Sequence, residues 1–341
     1  MTEERFGPVV VRPYRPGDEA GIVACHNHVF GEPGRGGRLQ GLAHWRWKFA
    51  SGPLPERQIV VAEHDHDGIV GTYAAIPYRV WIEDRVLRCA QGVDLVVRPE
   101  HRRLGPPPGL FVTLGKRYHD RYCGDDDTKA VFFFGWPIPA WKYGSKHLGY
   151  SVGRDWDFLF HDHGGAGFAP RAAPPGLEVR RVDRFGDDVD ALFAALRGEL
   201  QVCLVRDAAY LNWRYGECPD RAYRLYECRS RTSGTLRGVA VYTVGDLIRP
   251  HTAFLVDWLA PAADEDVTQA LVANLEQQAN RDRCQVLATV FSQVDPRFLA
   301  WQHLGFRVLG SPYFVAIVPY RHDVPFYRQR LYFTLGDSDL V

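Results

Sequence analysis

Apolar residues recur at two different periods along this chain, and each change of period marks a predicted strand or helix. Val9–Arg12 reads as a short strand, after which Arg15-Pro16-Gly17-Asp18 predicts the capped start of a helix near Glu19. Beyond a glycine-rich loop at Gly31–Gly37, the run His44-Trp45-Arg46-Trp47-Lys48-Phe49 closes a second helical segment. Gln58–Glu63 and Ile69–Val80 are strand-like runs, with Asp67-Gly68 supplying the tight turn between them. Gly92–Arg98 is β-branched and apolar with Asp94 set into it, the pattern of a strand buried on both faces. Leu110, Leu114, Arg117 and Tyr118 return at helical spacing; Ala130–Phe134 is a short buried strand, Ala140–Leu148 a helix ending at Gly149, and Trp156–Phe160 a further strand.

The same grammar then repeats. Leu177-Glu178-Val179-Arg180 echoes Val9-Val10-Val11-Arg12, and Asn212-Trp213-Arg214-Tyr215 echoes His44-Trp45-Arg46-Trp47. Val256-Asp257 before Pro261 echoes Val93-Asp94 before Pro99, and Leu304-Gly305-Phe306 echoes Leu148-Gly149-Tyr150. The spacing between copies shrinks steadily, as shorter loops in the second copy would produce. A Gly/Pro/Ala-rich linker at 163–176 is therefore expected to divide a domain at 1–162 from one at 177–341, which carries the C-terminal tail.

The chemistry concentrates between the Asp94 strand and the helix that follows. Pro99-Glu100-His101-Arg102-Arg103-Leu104-Gly105 is a basic, glycine-bearing turn placed at a helix N-terminus, where backbone N–H groups and the helix dipole favour phosphate oxygens. This order of strand, turn and helix resembles the acyl-CoA-binding signature of the GNAT superfamily of N-acyltransferases, with Val97, Pro99, Arg102, Arg103 and Gly105 matching the pattern. The resemblance implies an α/β (α+β) protein of two tandem GNAT folds, each a mixed, mostly antiparallel sheet flanked by helices. It implies acetyl-CoA or another acyl-CoA as co-substrate, held by the strand residues Leu95, Val96 and Val97, the turn residues Arg102, Arg103, Leu104 and Gly105, and the helix start at Gly109 and Leu110; no metal is expected. Ala90–Asp94 and the tail Leu335–Asp339 also resemble bacterial tandem GNAT proteins. One feature departs from the pattern: Pro106, Pro107 and Pro108 precede Gly109 and carry no N–H. Either the amides of Gly109, Leu110 and Phe111 replace the missing donors, or the phosphate site is weak. The second copy has Pro261-Ala262-Ala263-Asp264-Glu265-Asp266 at this place, three carboxylates that suit a helix dipole and repel phosphate, so it reads as a structural domain.

Composition narrows the partners. Lys plus Arg and Asp plus Glu number 41 each, for a formal net charge of zero, which offers no general nucleic-acid or membrane surface. No apolar run reaches the roughly 18 residues of a membrane span. The charged start lacks the apolar stretch of a signal peptide, and seven cysteines without a Cys-x-x-Cys pair read as reduced thiols, so a cytoplasmic protein is expected. The expected partner is a small-molecule or peptide amine, with an acyl carrier protein as an alternative thioester donor.

Acyl transfer to an amine needs a group to take the amine's proton and one to protonate the leaving thiolate. The resemblance places Asp94 facing the acceptor, and burial among apolar neighbours would raise its pKa towards that of a useful base; its repeat at Asp257 favours a structural role instead. Where relatives keep a tyrosine acid this chain has Ser145, and Tyr143, two residues earlier, lies about 200° round the helix. Trp136 follows the strand at which acceptor and thioester meet in the family and is a candidate for the acceptor pocket; Ile138 replaces an asparagine there. Trp45, Trp47, Trp213 and Tyr215 recur in both copies and read as core. His64 with His66, His161 with His163, and Cys25 with His26 and His28 read as solvated rather than metal-bound. Three functions fit: an acyl-CoA-dependent transferase using the first copy, a transferase fed by carrier-protein thioester, and a catalytically silent binding fold.

Overall fold

The computed structural model describes residues 3–31, 39–136 and 141–338. In chain order the elements are β1 (Glu4–Phe6), β2 (Val9–Pro13), α1 (Glu19–Phe30), α2 (Leu42–Ala50), β3 (Gln58–His64), β4 (Gly68–Ile82), β5 (Arg85–Val97), α3 (Leu110–Tyr122), β6 (Ala130–Gly135), α4 (Trp141–His147) and β7 (Ser151–Asp162). They continue with β8 (Leu177–Val182), α5 (Asp188–Leu200), β9 (Cys203–Leu204), α6 (Ala208–Leu211) running into a π-helical turn at Asn212–Gly216, β10 (Arg224–Ser230), β11 (Leu236–Gly245), β12 (Thr252–Leu259), α7 (Glu265–Arg281), β13 (Val286–Thr289), α8 (Pro296–His303), β14 (Arg307–Pro319) and α9 (Val324–Arg330). Among the described residues no helix is long and apolar enough to cross a membrane.

The chain divides into two compact units, one of Met1–Arg79, Leu87–Arg154 and Phe314–Phe326, the other of Val80–Val86, Asp155–Tyr313 and Tyr327–Val341. In the first, β1, β2, β3 and β4 follow one another antiparallel, β5 runs parallel to β6, and β6 pairs antiparallel with Ala316–Pro319 of β14. In the second, β8, β10, β11 and β12 are antiparallel in turn, β12 runs parallel to β13, and β13 pairs antiparallel with Leu159–Asp162 of β7. The two strand orders are therefore the same mixed, mostly antiparallel sheet built twice, as the repeat in the sequence requires. Helices α1 to α4 of one series answer to α5 to α8 of the other.

A single cut near residue 162 does not reproduce these units. Backbone pairing decides where a strand belongs, so the end of β7 goes with β13, and the end of β14 goes with β6. The strand expected to finish the first domain thus belongs largely to the second unit, which also takes in the Gly/Pro/Ala-rich segment.

Side-chain periodicity explains the packing. Leu110, Leu114 and Tyr118 of α3 lie four residues apart, all fully buried, in a core with Val60, Tyr73, Val97 and Phe133; each fully buried aliphatic side chain contributes about 1.5–3 kcal/mol. Arg117, beside them in sequence, instead turns outward to pair with Glu4. Trp45 and Trp213 are buried in their respective cores. Asp18 does not cap α1: its carboxylate is drawn to Arg12, at 2.7 and 2.8 Å, and to the Arg15 amide at 2.7 Å. A bidentate guanidinium outcompetes a neutral amide for the same oxygens.

Candidate functional site

The site is built where β5 and β6 separate. Their parallel pairing runs through Arg88↔Ala130, Ala90↔Phe133 and Gln91↔Phe134 and stops there. Gly92 abuts the Phe133 ring, leaving no room for a Cβ, and Asp94 takes a left-handed φ of 53°. From Gly92 to Val97, β5 is backed by β4, with Thr72 Oγ1 donating to Asp94 O at 2.6 Å, and among the described residues its pairing with β6 does not continue past Gln91↔Phe134. Val96 and Val97 point into the core, so any cofactor contact from them is through the main chain; Leu95 faces the opening.

The turn that follows is shaped by its glycines. After a 3-10 turn at Pro99–His101, Gly105 and Gly109 adopt φ of 82° and 124°. A Cβ on Gly109 would stand 2.5 Å from the Arg102 carbonyl oxygen, so no other residue fits. That close approach also consumes donors: the Gly109 N–H bonds Pro106 O at 2.9 Å and the Leu110 N–H bonds Arg102 O at 3.2 Å. Of the three amides that could replace those lost to the prolines, those of Gly109 and Leu110 are thus spent within the turn. What remains at the helix start are the first-turn N–H groups of Phe111 and Val112, ahead of the first intrahelical bond from Thr113 N to Gly109 O, with no side chain capping them. Arg102 is exposed with its Nε donating to Val97 O at 3.3 Å; Arg103 is exposed; Leu104 and Leu110 pack against the core.

On the other face of β5, the Asp94 side chain is only 6% exposed and heavily engaged. Lys48 Nζ donates to both oxygens at 3.0 and 3.2 Å, Gln40 Nε2 donates at 2.9 Å, and His26 Nε2 lies 3.7 Å away. Burial by itself would raise the Asp94 pKa, but the Lys48 and His26 charges and the donated hydrogen bonds outweigh it and hold the carboxyl below its usual range. The expected raised-pKa base is thus not what the fold makes; Asp94 is an anchored anion. Lys48 was legible only as one of two cations, with Arg46, in an aromatic helix segment, and Gln40 and His26 left no sequence signal of this role.

Trp136 does sit at the opening, in an apolar slot of about 10 Å³ shared with Leu95, Phe133, Trp141 and Tyr150. Tyr150 is a residue the pattern missed. Its hydroxyl bonds Tyr73 OH, which is 2.9 Å from His119 Nε2, whose Nδ1 lies 2.7 Å from Tyr320 OH. Burial raises the Tyr150 and Tyr73 pKa values and lowers that of His119 to about 3, so this chain is neutral. Ser145 and Tyr143 are exposed, and Ile138, like most of Gly31–Gly37 and the end of the tail at Asp339, lies outside the described residues.

The matching positions of the second unit are closed. Asp264 caps α7 by accepting from Val267 N at 3.1 Å, and Glu199 accepts from the Ala262 amide at 3.1 and 3.2 Å, so carboxylates occupy the place of a phosphate. Asp257 takes bonds from Arg206 Nε at 2.9 Å, Tyr215 OH at 2.7 Å and Thr334 Oγ1 at 3.1 Å, and Arg206 also pairs with Asp337 at 2.6 Å. The Thr334–Ser338 tail is itself buried here. His161, its side chain 26% exposed, and His163 are hydrogen-bonded, to Glu276 at 2.9 Å and to Cys284 O at 3.2 Å.

Residues 10–152 match the model of the acetyltransferase (GNAT) domain. No curated protein matches the sequence. Among solved structures, a conserved Enterococcus faecalis protein described as a probable N-acyltransferase is similar at 11% identity and a TM-score of 0.64, covering 94% of this chain and 73% of its own. Saccharomyces cerevisiae N-myristoyltransferase with bound myristoyl-CoA is similar at 10% identity and a TM-score of 0.60, over 92% of this chain and 83% of its own. A tandem GNAT protein from the clavulanic acid biosynthesis pathway reaches 14% identity and a TM-score of 0.57, over 92% of this chain and 99% of its own.

Proposed function

We propose, from the premise that residues 10–152 are an acetyltransferase (GNAT) domain in a chain folded like a tandem GNAT protein, that this protein is an N-acyltransferase. It moves an acyl group, acetyl in the first instance, from acyl-CoA to the amine of a small molecule or peptide, using the first unit. The observation that carries this reading is the parting of β5 from β6 beyond Gln91 and Phe134, directly ahead of a helix start that no side chain caps. An open main-chain edge can pair with the amide-rich arm of acyl-CoA. The first-turn N–H groups of α3, with Arg102 and Arg103 beside them, suit its phosphates.

In the reaction the thioester C–S bond breaks as the new C–N bond forms, the amine loses a proton and the thiolate gains one. Asp94, ionised and bound to Lys48, orients the acceptor face rather than taking the proton. His26, 3.7 Å from Asp94, is the adjacent imidazole, and in its neutral form we assign it the base role. Trp136 and Leu95 form the wall against which the acyl group or acceptor packs.

Calorimetric titration of acetyl-CoA and free CoA into the protein tests the reading. Micromolar binding, weakened at least tenfold by joint Arg102→Ala and Arg103→Ala substitution, is expected. His26→Gln should then lower kcat/KM and abolish the acidic limb of its pH profile while leaving CoA affinity unchanged. Because the turn spends two of its amides internally, a carrier-protein thioester is the second reading. Absence of binding at millimolar CoA together with turnover from acyl carrier protein would establish it in place of the first.

A further inference from the structure

Fold proximity brings together a group of side chains that sequence spacing did not connect. His64 ends β3, Asp67 lies in the hairpin turn leading to β4, and His101 ends the 3-10 turn that runs straight into Arg102. One ligand atom from each lies within 4.8 Å of the others, the one such histidine-containing group found among the described residues. Asp67 Oδ2 is 3.3 Å from His64 Nδ1 and 3.1 Å from His101 Nε2.

The hydrogen bonding says what these atoms lack. The backbone N–H groups of His66 and Asp67 both donate to His64 Nδ1, at 3.3 and 3.2 Å. That nitrogen is thereby an acceptor, and because it has one lone pair a bound cation would take the place of these two donors. It faces a carboxylate oxygen, which is also an acceptor, so two electron-rich atoms stand 3.3 Å apart and a cation between them would relieve the repulsion. For bonds of about 2.0–2.1 Å, tetrahedral ligands stand about 3.3 Å apart, close to the 3.3 and 3.1 Å that separate Asp67 Oδ2 from the two imidazole nitrogens, while the two nitrogens lie within 4.8 Å of one another. The imidazole rings are largely buried, and the Asp67 side chain is 46% exposed, leaving a route in and room for water to complete the shell.

We propose that His64, Asp67 and His101 form a binding site for a divalent transition cation of the zinc type, the class that two imidazoles and one carboxylate favour. Two ligands come from the β3–β4 hairpin and the third from the turn before Arg102. An ion bound there ties the hairpin to the Pro99–Gly109 segment. The site stands independently of any acyl-transfer reading.

The test uses full-length protein stripped with a chelator and titrated with zinc chloride by calorimetry, and with cobalt(II) followed by its visible absorption. One equivalent should bind with a dissociation constant in the micromolar range or below, cobalt should give an intense tetrahedral-type band, and zinc should raise the melting temperature. His101→Gln and Asp67→Asn should each weaken binding at least tenfold and remove the zinc-dependent shift in melting temperature. Since Asp67 is half-exposed, Asp67→Asn keeps the fold even if His101→Gln does not. No stoichiometric binding at tens of micromolar zinc, or binding that Asp67→Asn leaves unchanged in a folded protein, overturns the proposal.

Discussion

The starts of α3 and α7 occupy the same place in two copies of one sheet and are finished in opposite ways. In the first unit two arginines and a run of glycines and prolines leave the helix N-terminus without a side-chain cap. In the second, Asp264 caps it and Glu199 takes an adjacent amide. The buried acids of the preceding strands differ in the same sense. Asp94 meets a lysine, a glutamine and a histidine; Asp257 is locked by Arg206, Tyr215 and the Thr334–Ser338 tail. A fold that needs an acid on this strand for its own cohesion can keep it while one copy fills its ligand positions with its own groups. Asp257, bonded to Arg206, Tyr215 and Thr334 behind a turn without arginines, serves the cohesion of its own unit.

The comparison can be broken most severely at Arg206. Arg206→Met leaves Asp257 and Asp337 buried without their cation and should destabilise the second unit by about 3–5 kcal/mol, read as an early transition in urea. A loss below about 1 kcal/mol would mean the cluster is not what holds the tail.

Lys48→Met makes the same cut in the first unit. It should cost somewhat less, about 2–3 kcal/mol, because Gln40 still donates to Asp94. The sign in pH is fixed. The Asp94 pKa is lowered by folding, so its contribution is full above the unfolded value near 4 and is lost as pH falls through the lower folded value. Stability of the parent protein measured between about pH 5 and pH 2 should therefore fall more steeply than that of Lys48→Met; parallel curves would contradict the pairing.

Gly109→Ala sharpens the contrast at the turn itself. The left-handed φ and the nearby Arg102 oxygen should make it cost about 1–3 kcal/mol in thermal unfolding and reduce CoA binding with it. An alanine variant with full stability and affinity would show that the turn relaxes freely. The smallest effect is expected at Asp264→Ala, about 1 kcal/mol from loss of the α7 cap, with acetyl-CoA affinity unchanged if the proposed site at the start of α3 is the one that binds it.

The repeat, the element order and the glycine- and arginine-bearing turn before α3 were all legible in the residues, because each is a local signal. Apolar periodicity reports which face is buried, and glycine, proline and arginine at short spacing report a turn's shape and charge. The burial of Leu110, Leu114 and Tyr118 follows from it. What tertiary structure alone decided is who meets whom across the fold. Sequence spacing does not tell that Lys48 and Gln40 reach Asp94 and reverse the direction of its pKa shift, that Gly109 and Leu110 spend their amides on the turn, or that His101 joins His64 and Asp67. Nor does it tell that the ends of β7 and β14 pair in the units they do. Such contacts are set by the register and crossing of segments far apart in the chain, and a carboxylate's charge state depends on those distant neighbours as much as on its own burial.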